Sequence, residues 1–449
     1  MKSLDQIAAE LQGYDPQAIS ADQVLAFLSK LVTPVQDVIE LPLFEALGRV
    51  LAEDVISPFD VPPHDNSAMD GYAFAGQQLA ADAALDLQVV GTALAGKAWQ
   101  GRDGRDSRVL PGQCVKIMTG AIMPQGLDTV VPQEFVAVQG DVITIPPKLL
   151  KPGDNRRLRG EDLMQGKAAL LKGEQLTPAR LGLAASLGLK TLKTWRPLRV
   201  AYFSTGDEIL SLGEAPREGA VYDSNRYTVF GMLTRLGCQV IDMGVVRDDP
   251  ALLEAAFSQA ATQADAIITS GGVSVGEADF TKAMMKKLGD VAFWRIAMRP
   301  GRPMAVGRIL ATKSASSPVL AGASSYEKHS DSSHAILFGL PGNPVAVMVT
   351  FLAFVRPALL QMMGASAAPA PLLKARSTEA IRKKPGRTEY QRAWVSTAPD
   401  GSLQVKSTGS QGSGVLRSMA EANGLMVLQH AHGNVAVGDE VDVLMFEGA

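Results

Sequence analysis

A chain of 449 residues, 46% hydrophobic and 20% charged, carries enough apolar matter for roughly two to four packed domains. Its formal net charge of −3 argues against a general nucleic-acid binder, which needs a basic face, though not against a local anion site. Its two cysteines, Cys114 and Cys238, stand in no ligand spacing, so a zinc or iron–sulfur centre and a disulfide scaffold are both disfavoured.

Met1 to Asp5 soon reach charge and show no apolar signal-peptide region. The longest apolar run, Val345 to Val355, is about half a membrane span and ends at Arg356-Pro357. A cytoplasmic protein with neither a membrane nor a nucleic-acid partner is expected.

Residues 1–45 are predicted mainly helical, with an apolar stripe over Ala21–Leu28 behind a Ser/Asp start. From 46 to 167 short apolar runs alternate with Gly and Pro, which predicts a β-rich domain. Thr177-Pro178 opens a helix running to Leu189, which is expected to pack with the N-terminal helices. Between 196 and 364, strands near Arg199, Gln239, Asp265 and Ala335 alternate with helices Ser224–Leu236, Pro250–Gln263, Asp279–Leu288 and Pro344–Met362. That βαβ series implies a mostly parallel sheet covered on both faces. The Ser-rich stretch 314–333 interrupts it and predicts a surface loop. Past a linker near 365–371, Arg392–Ser396 and Leu403–Lys406 flank Pro399-Asp400-Gly401, a hairpin signal.

The fold class is therefore multidomain α/β. It comprises a helical linker or dimerisation domain (1–45 plus 168–195), a β-rich domain (46–167), a central βαβ domain (196–364) and a small β-barrel-like C-terminal domain (365–449).

Ligands of such sheets bind beyond the carboxyl ends of the strands. The segments there are Ser204-Thr205-Gly206-Asp207-Glu208, Arg247-Asp248-Asp249-Pro250, Ser270-Gly271-Gly272-Val273-Ser274 leading to Asp279, and Gly339-Leu340-Pro341-Gly342-Asn343-Pro344. The Gly271-Gly272 loop suits a phosphate or pterin oxygen; it also serves as a plain strand–helix turn. Glu208, Asp248 and Asp279 come from three such loops. Their oxygens suit Mg²⁺, while Asp248 and Asp279 also suit helix N-caps. Arg299 and Arg302 sit on a Pro/Gly-stiffened segment fit for an oxyanion.

Two further loops stand outside this series. Asp65-Asn66-Ser67-Ala68-Met69-Asp70-Gly71 displays hard oxygen ligands in a turn. Asn155 to Asp162 sets three arginines beside Glu161 and Asp162. Thr119, ahead of Gly120, is a further candidate donor to an anion. Histidines are scarce and no nucleophile elbow stands out, so acyl transfer is a poor reading.

Asp65–Tyr72, Ile117–Ala121, Arg159–Asp162, Ser204–Glu208, Ser270–Gly276 with Asp279, and Gly339–Pro344 occur together and in order. On these six segments the chain resembles the molybdopterin molybdenumtransferases over nearly its whole length. The resemblance implies a four-domain homodimer with its cleft completed across the dimer. It implies adenylylated molybdopterin as substrate, cleaved with Mg²⁺ and molybdate to leave AMP and the molybdenum cofactor, and the molybdopterin adenylyltransferase as a partner. It makes Asp70, Asp162, Glu208, Asp248 and Asp279 the functional acids; the last three are the metal ligands suggested by their loops above. It places Thr119, Ser204, Thr205, Gly271, Gly272, Ser274, Pro341 and Pro344 at the substrate, and Arg299, Arg302, Arg392 and Ser413 at molybdate.

The family's two lysines around Pro-Gly are Arg299 and Arg302 here, and a family serine is Ala346. Molybdate binding with altered affinity is expected, and tungstate is an open alternative. Two other readings compete: the adenylyltransferase itself, whose single domain resembles 196–364, and a scaffold that uses the fold for docking.

Overall fold

The structure is a computed structural model that describes residues 2–101, 107–273, 280–311, 334–366 and 369–446. The Ser-rich stretch 314–333, Ser274 and Asp279 lie outside the described residues. The chain divides into two units, Met1–Glu53 with Lys172–Pro178 and Thr191–Ala449, and Asp54–Leu171 with Ala179–Lys190. The grouping of 1–45 with 168–195 is thus split between them. The helix Pro178–Ser186 falls mostly in the second unit, whereas the N-terminal helices belong to the first.

In the first unit, five- to eight-residue runs form the sheet expected of a βαβ series, its four central strands buried almost throughout. Its order is Gln239–Val246, Arg199–Thr205, Ala266–Ser270, His334–Leu340, Pro303–Leu310, Gly289–Arg295. The first four run parallel. The last two are antiparallel additions that the βαβ pattern does not anticipate.

One face of the sheet is covered by Pro250–Gln263 and Phe280–Leu288, with Phe257 edge-on to Phe203 at 5.1 Å. The other face takes Ser224–Leu236, the helical segment Pro344–Met362 and the N-terminal helix Ala21–Leu31. Ser20 caps that last helix through a capping box with Gln23. Its stripe of Val24, Phe27, Leu28 and Leu31 is buried in the α/β core, and Phe27 meets Trp294 edge-on at 4.9 Å. This packing is why the N-terminal helices are not a separate body.

Pro344–Met362 is apolar and long enough to cross a membrane by length and composition, but 67% of its apolar window is buried inside the protein. A π turn at Phe351–Val355 widens it just before Pro357, whose ring would otherwise press on the preceding turn.

The C-terminal strands Leu373–Ser377, Thr388–Thr397, Leu403–Ser407, Gly424–Leu428 and Glu440–Met445 close into a barrel. The expected hairpin at Asp400-Gly401 is one of its corners.

The second unit is built on a six-stranded sheet in the order Thr129–Pro132, Gly71–Phe74, Gln113–Ile117, Leu85–Ala93, Val142–Ile145, Ala137–Gln139.

Candidate functional site

Four strand ends of the α/β sheet open on a cavity of about 650 Å³ lined by Thr205, Glu208, Asp223, Asn225, Asp248, Gly271, Gly272, Asn343 and Pro344, among others. Gly271 and Gly272 sit at φ +94° and +64°, in the left-handed region that favours glycine. A Cβ on Gly271 would come within 2.5 Å of the Thr205 carbonyl, and one on Gly272 within 2.6 Å of the Thr281 side chain. The Gly271 N–H donates to the Leu340 carbonyl at 3.1 Å.

Glu208 and Asp248 are exposed at the rim. The Glu208 carboxylate folds back over Gly206, close enough that a Cβ there would meet Oε2 at 2.5 Å. Asp248 is not a helix cap. Asp249 takes that place, its Oδ1 accepting from the N–H groups of Ala251 and Leu252 at 2.9 and 3.0 Å.

Ser204 is placed differently from the expectation. Strand alternation turns its hydroxyl inward, where Tyr202, Ser204 and Ser270 bond one another at 2.7–3.1 Å. Burial pushes the Tyr202 phenol well above its usual range.

A second cavity, of about 440 Å³, adjoins the first and shares Gly342 and Asn343 with it. Arg299, Arg302, Pro341, Ala346 and Ser413 line it. Both guanidinium groups are exposed and have no acidic partner among the described residues. Ser413 Oγ accepts from Asn343 Nδ2 at 3.1 Å.

Arg392 does not reach this cavity. It is 1% exposed, and its fork donates to Ser418 Oγ and to the carbonyls of Ser410, Gln411 and Gly412 at 2.8–3.3 Å. Burial first, then Arg299, lowers its pKa. The side chain therefore holds the loop that carries Ser413; it does not face an oxyanion.

In the second unit, Asp70 and Thr119 meet. Asp70 Oδ1 accepts from the Thr119 N–H at 2.7 Å and from its hydroxyl at 2.8 Å. These bonds hold the Asp70 carboxyl below the usual range. The Thr119 hydroxyl is thus engaged by Asp70, not free for an anion. Asp162 is exposed, its N–H on the Val61 carbonyl at 3.0 Å. Asp65 accepts from the Arg159 N–H at 2.8 Å, and Arg159 Nε pairs with Asp60 at 2.6 Å. Those bonds knit the two polar loops together.

Gly342 and Asn343 stood in a ligand-binding segment of the sequence analysis without a role for either, and Asp223 and Asn225 were passed over. Asp223 and Asn225 were hidden by their position at a helix start, where their residue types are ordinary.

A sheet with an acid-rimmed, glycine-floored cavity beside an arginine-lined one defines an α/β protein built for an anionic substrate. Comparisons make this specific. The MoeA N-terminal region (domain I and II) matches residues 19–188, a probable molybdopterin binding domain 201–361, and the MoeA C-terminal region (domain IV) 374–446. The chain is 40% identical over 407 residues to the molybdopterin molybdenumtransferase of Haemophilus influenzae, covering 90% of this chain and 93% of that one. It is 35% identical to that of Nostoc sp. over 419 residues, covering 91% and 89%. The solved molybdopterin biosynthesis moeA protein of Pyrococcus horikoshii OT3 superposes with a TM-score of 0.73 at 26% identity, over 96% of this chain and all of that one. The chain belongs to the molybdopterin molybdenumtransferase family, transferases of molybdenum cofactor biosynthesis. The matches on both sides of the α/β domain disfavour the single-domain adenylyltransferase reading.

Proposed function

We propose that the protein inserts molybdenum from molybdate into adenylylated molybdopterin with Mg²⁺-dependent release of AMP. The observation that carries this is the pair of adjoining cavities with opposite linings, acids and a glycine turn in one and exposed arginines in the other, on a shared Gly342-Asn343 wall.

The donor set suits Mg²⁺, which takes one or two carboxylates and completes its shell with water and substrate phosphate. Glu208 and Asp248 would hold it at the rim, with Asp279 as a third acid. Among the described residues no three acids, histidines or cysteines are assembled to cage an ion alone. Bound there, Mg²⁺ would neutralise charge on the phosphoanhydride.

Gly272 would donate its N–H to a phosphate oxygen, supported by the strand ends around it. Arg299 and Arg302 would hold the tetrahedral oxyanion in forked geometry, close to the dithiolene of the substrate. Ser413 would complete that cavity, with Arg392 keeping its loop in place. Asp70 and Asp162 are proposed as further catalytic acids on the resemblance, with Thr119 orienting Asp70. A cytoplasmic homodimer that receives its substrate from the molybdopterin adenylyltransferase completes the reading.

The test is to incubate the purified protein with adenylylated molybdopterin, Mg²⁺ and molybdate, and to measure AMP. Release that depends on molybdate is expected. Tight binding with no AMP would overturn the reading in favour of a carrier or scaffold.

A further inference from the structure

Three buried side chains around the larger cavity each keep an oxygen that has no hydrogen-bond partner among the described residues. Asp223, 4% exposed, caps the helix Ser224–Leu236 through Oδ1, which accepts from the Arg226 N–H at 3.0 Å. Its Oδ2 is buried without a partner. Asn225, 7% exposed, donates Nδ2 to the Gly342 carbonyl at 2.7 Å, and its Oδ1 is likewise unpartnered. Thr205, at the end of its strand, is 3% exposed with an unpartnered hydroxyl. All three line the same cavity.

Thr269, beside Ser270, also keeps an unpartnered hydroxyl, but it does not line the cavity. Tyr202, Ser204 and Ser270 satisfy one another a few ångströms along the same strands. Unpaired buried acceptors are costly and rare in folded proteins. Three of them on residues that line one cavity mark a place where a ligand completes the bonding.

We propose that Asp223, Asn225 and Thr205 form a recognition subsite for a ligand edge carrying adjacent hydrogen-bond donors. A carboxylate oxygen and an amide oxygen can only accept, and the threonine hydroxyl can do either. The subsite therefore repels a phosphate or other oxyanion and selects N–H or O–H groups. That polarity is opposite to the arginine-lined cavity next door, so the two linings orient an elongated ligand end to end.

The identity of the ligand rests on the function proposed above. Within an adenylylated pterin two portions have this chemistry, the 2-amino and N3–H edge of the pterin ring and the 2′,3′-diol of the ribose. Both would place two donors against Asp223 and Asn225.

Asp223→Asn separates this role from helix capping, because Asn caps about as well as Asp. The retained Oδ1 keeps the bond to Arg226, and an amide N–H₂ then faces the ligand's donors head-on. Binding of pterin and of AMP with Mg²⁺ would be measured separately by fluorescence and calorimetry, with thermal melting as the folding control. Asp223→Asn is expected to melt close to the parent and to weaken one probe by about tenfold or more. Thr205→Val should weaken the same probe less. Loss for pterin alone assigns the ring edge to this subsite, and loss for AMP alone assigns the ribose. Equal affinities for both probes in parent and Asp223→Asn would overturn the subsite while leaving the proposed function intact. A parent protein that binds neither probe would overturn the function and the subsite with it.

Discussion

Replacing Arg392 by lysine tests whether this residue supports a loop or touches the oxyanion itself. The guanidinium makes four bonds, to Ser418 Oγ and three consecutive carbonyls, Ser410 to Gly412. An ammonium keeps the charge but concentrates its donors at one point, so it cannot span that arc. Two of the four bonds should be lost. At about 1–1.5 kcal/mol each, with water partly reaching the freed carbonyls, the change costs about 2–3 kcal/mol. With a urea slope of about 2–3 kcal/mol/M, that lowers the midpoint of the transition that unfolds the barrel by about 1 M. The loop carries Ser413, so the molybdate KM in the AMP-release assay should rise several-fold at the same time. A raised KM with an unchanged unfolding midpoint would refute the reasoning and return Arg392 to direct contact with the anion.

Gly272→Ala should cost about 2–4 kcal/mol, combining a left-handed φ with overpacking against Thr281. Thr281→Ala in the same chain should recover part of it, and full stability of the single variant in urea would contradict the geometry. Glu208→Gln should raise the Mg²⁺ concentration for half-maximal AMP release by about tenfold while leaving unfolding unchanged, since the side chain is exposed; an unaltered Mg²⁺ profile would remove Glu208 from the proposed metal set. Thr119→Val should raise the Asp70 pKa toward the ordinary range by deleting one of its two bonds. Because the folded value is depressed, the interaction is fully present above the ordinary carboxyl range and is lost as pH falls through the lowered value. Thr119→Val should narrow that window, and identical carboxyl titrations by NMR would count against the bond.

The parallel strands and their helices were legible because each is an apolar run closed by Gly, Asp or Pro punctuation, as at Ser224–Leu236 with Gly237 at φ +88°. Gly289–Arg295 and Pro303–Leu310 were not. They return antiparallel with no helix between them, so the alternation that reveals a βαβ unit is missing there. At the site, residue type announced the chemistry, but not which atoms were already engaged. Ser204 and Arg392 have the right groups and bond them within the protein. Asp223 looks like an ordinary cap, and only the fold reveals that it lines a cavity with its second oxygen unpaired among the described residues. The choice between Asp248 and Asp249 as cap likewise rests on hydrogen bonds that two adjacent aspartates cannot declare in sequence.

Asn343 shows how the two cavities are tied. It stands at the N-cap of the helix Pro344–Thr350, yet its side chain makes no capping bond. Its Nδ2 reaches Ser413 Oγ instead, and the Val345 N–H donates to the Ser413 carbonyl at 3.2 Å. One residue earlier, the Gly342 carbonyl accepts from Asn225. The segment Gly342–Val345 is therefore bonded on one side to the donor-seeking wall of the larger cavity. On the other side it is bonded to the loop that Arg392 holds beside the arginines. A side chain that gives up a cap worth about 1 kcal/mol for a bond across a cavity wall points to coupling between the two chambers. Asn343→Ala should then leave the unfolding midpoint nearly unchanged, there being no cap bond to lose, while weakening the molybdate dependence of AMP release. A variant that loses stability like an ordinary cap deletion, yet keeps full molybdate dependence, would mean that Asn343 only props the helix.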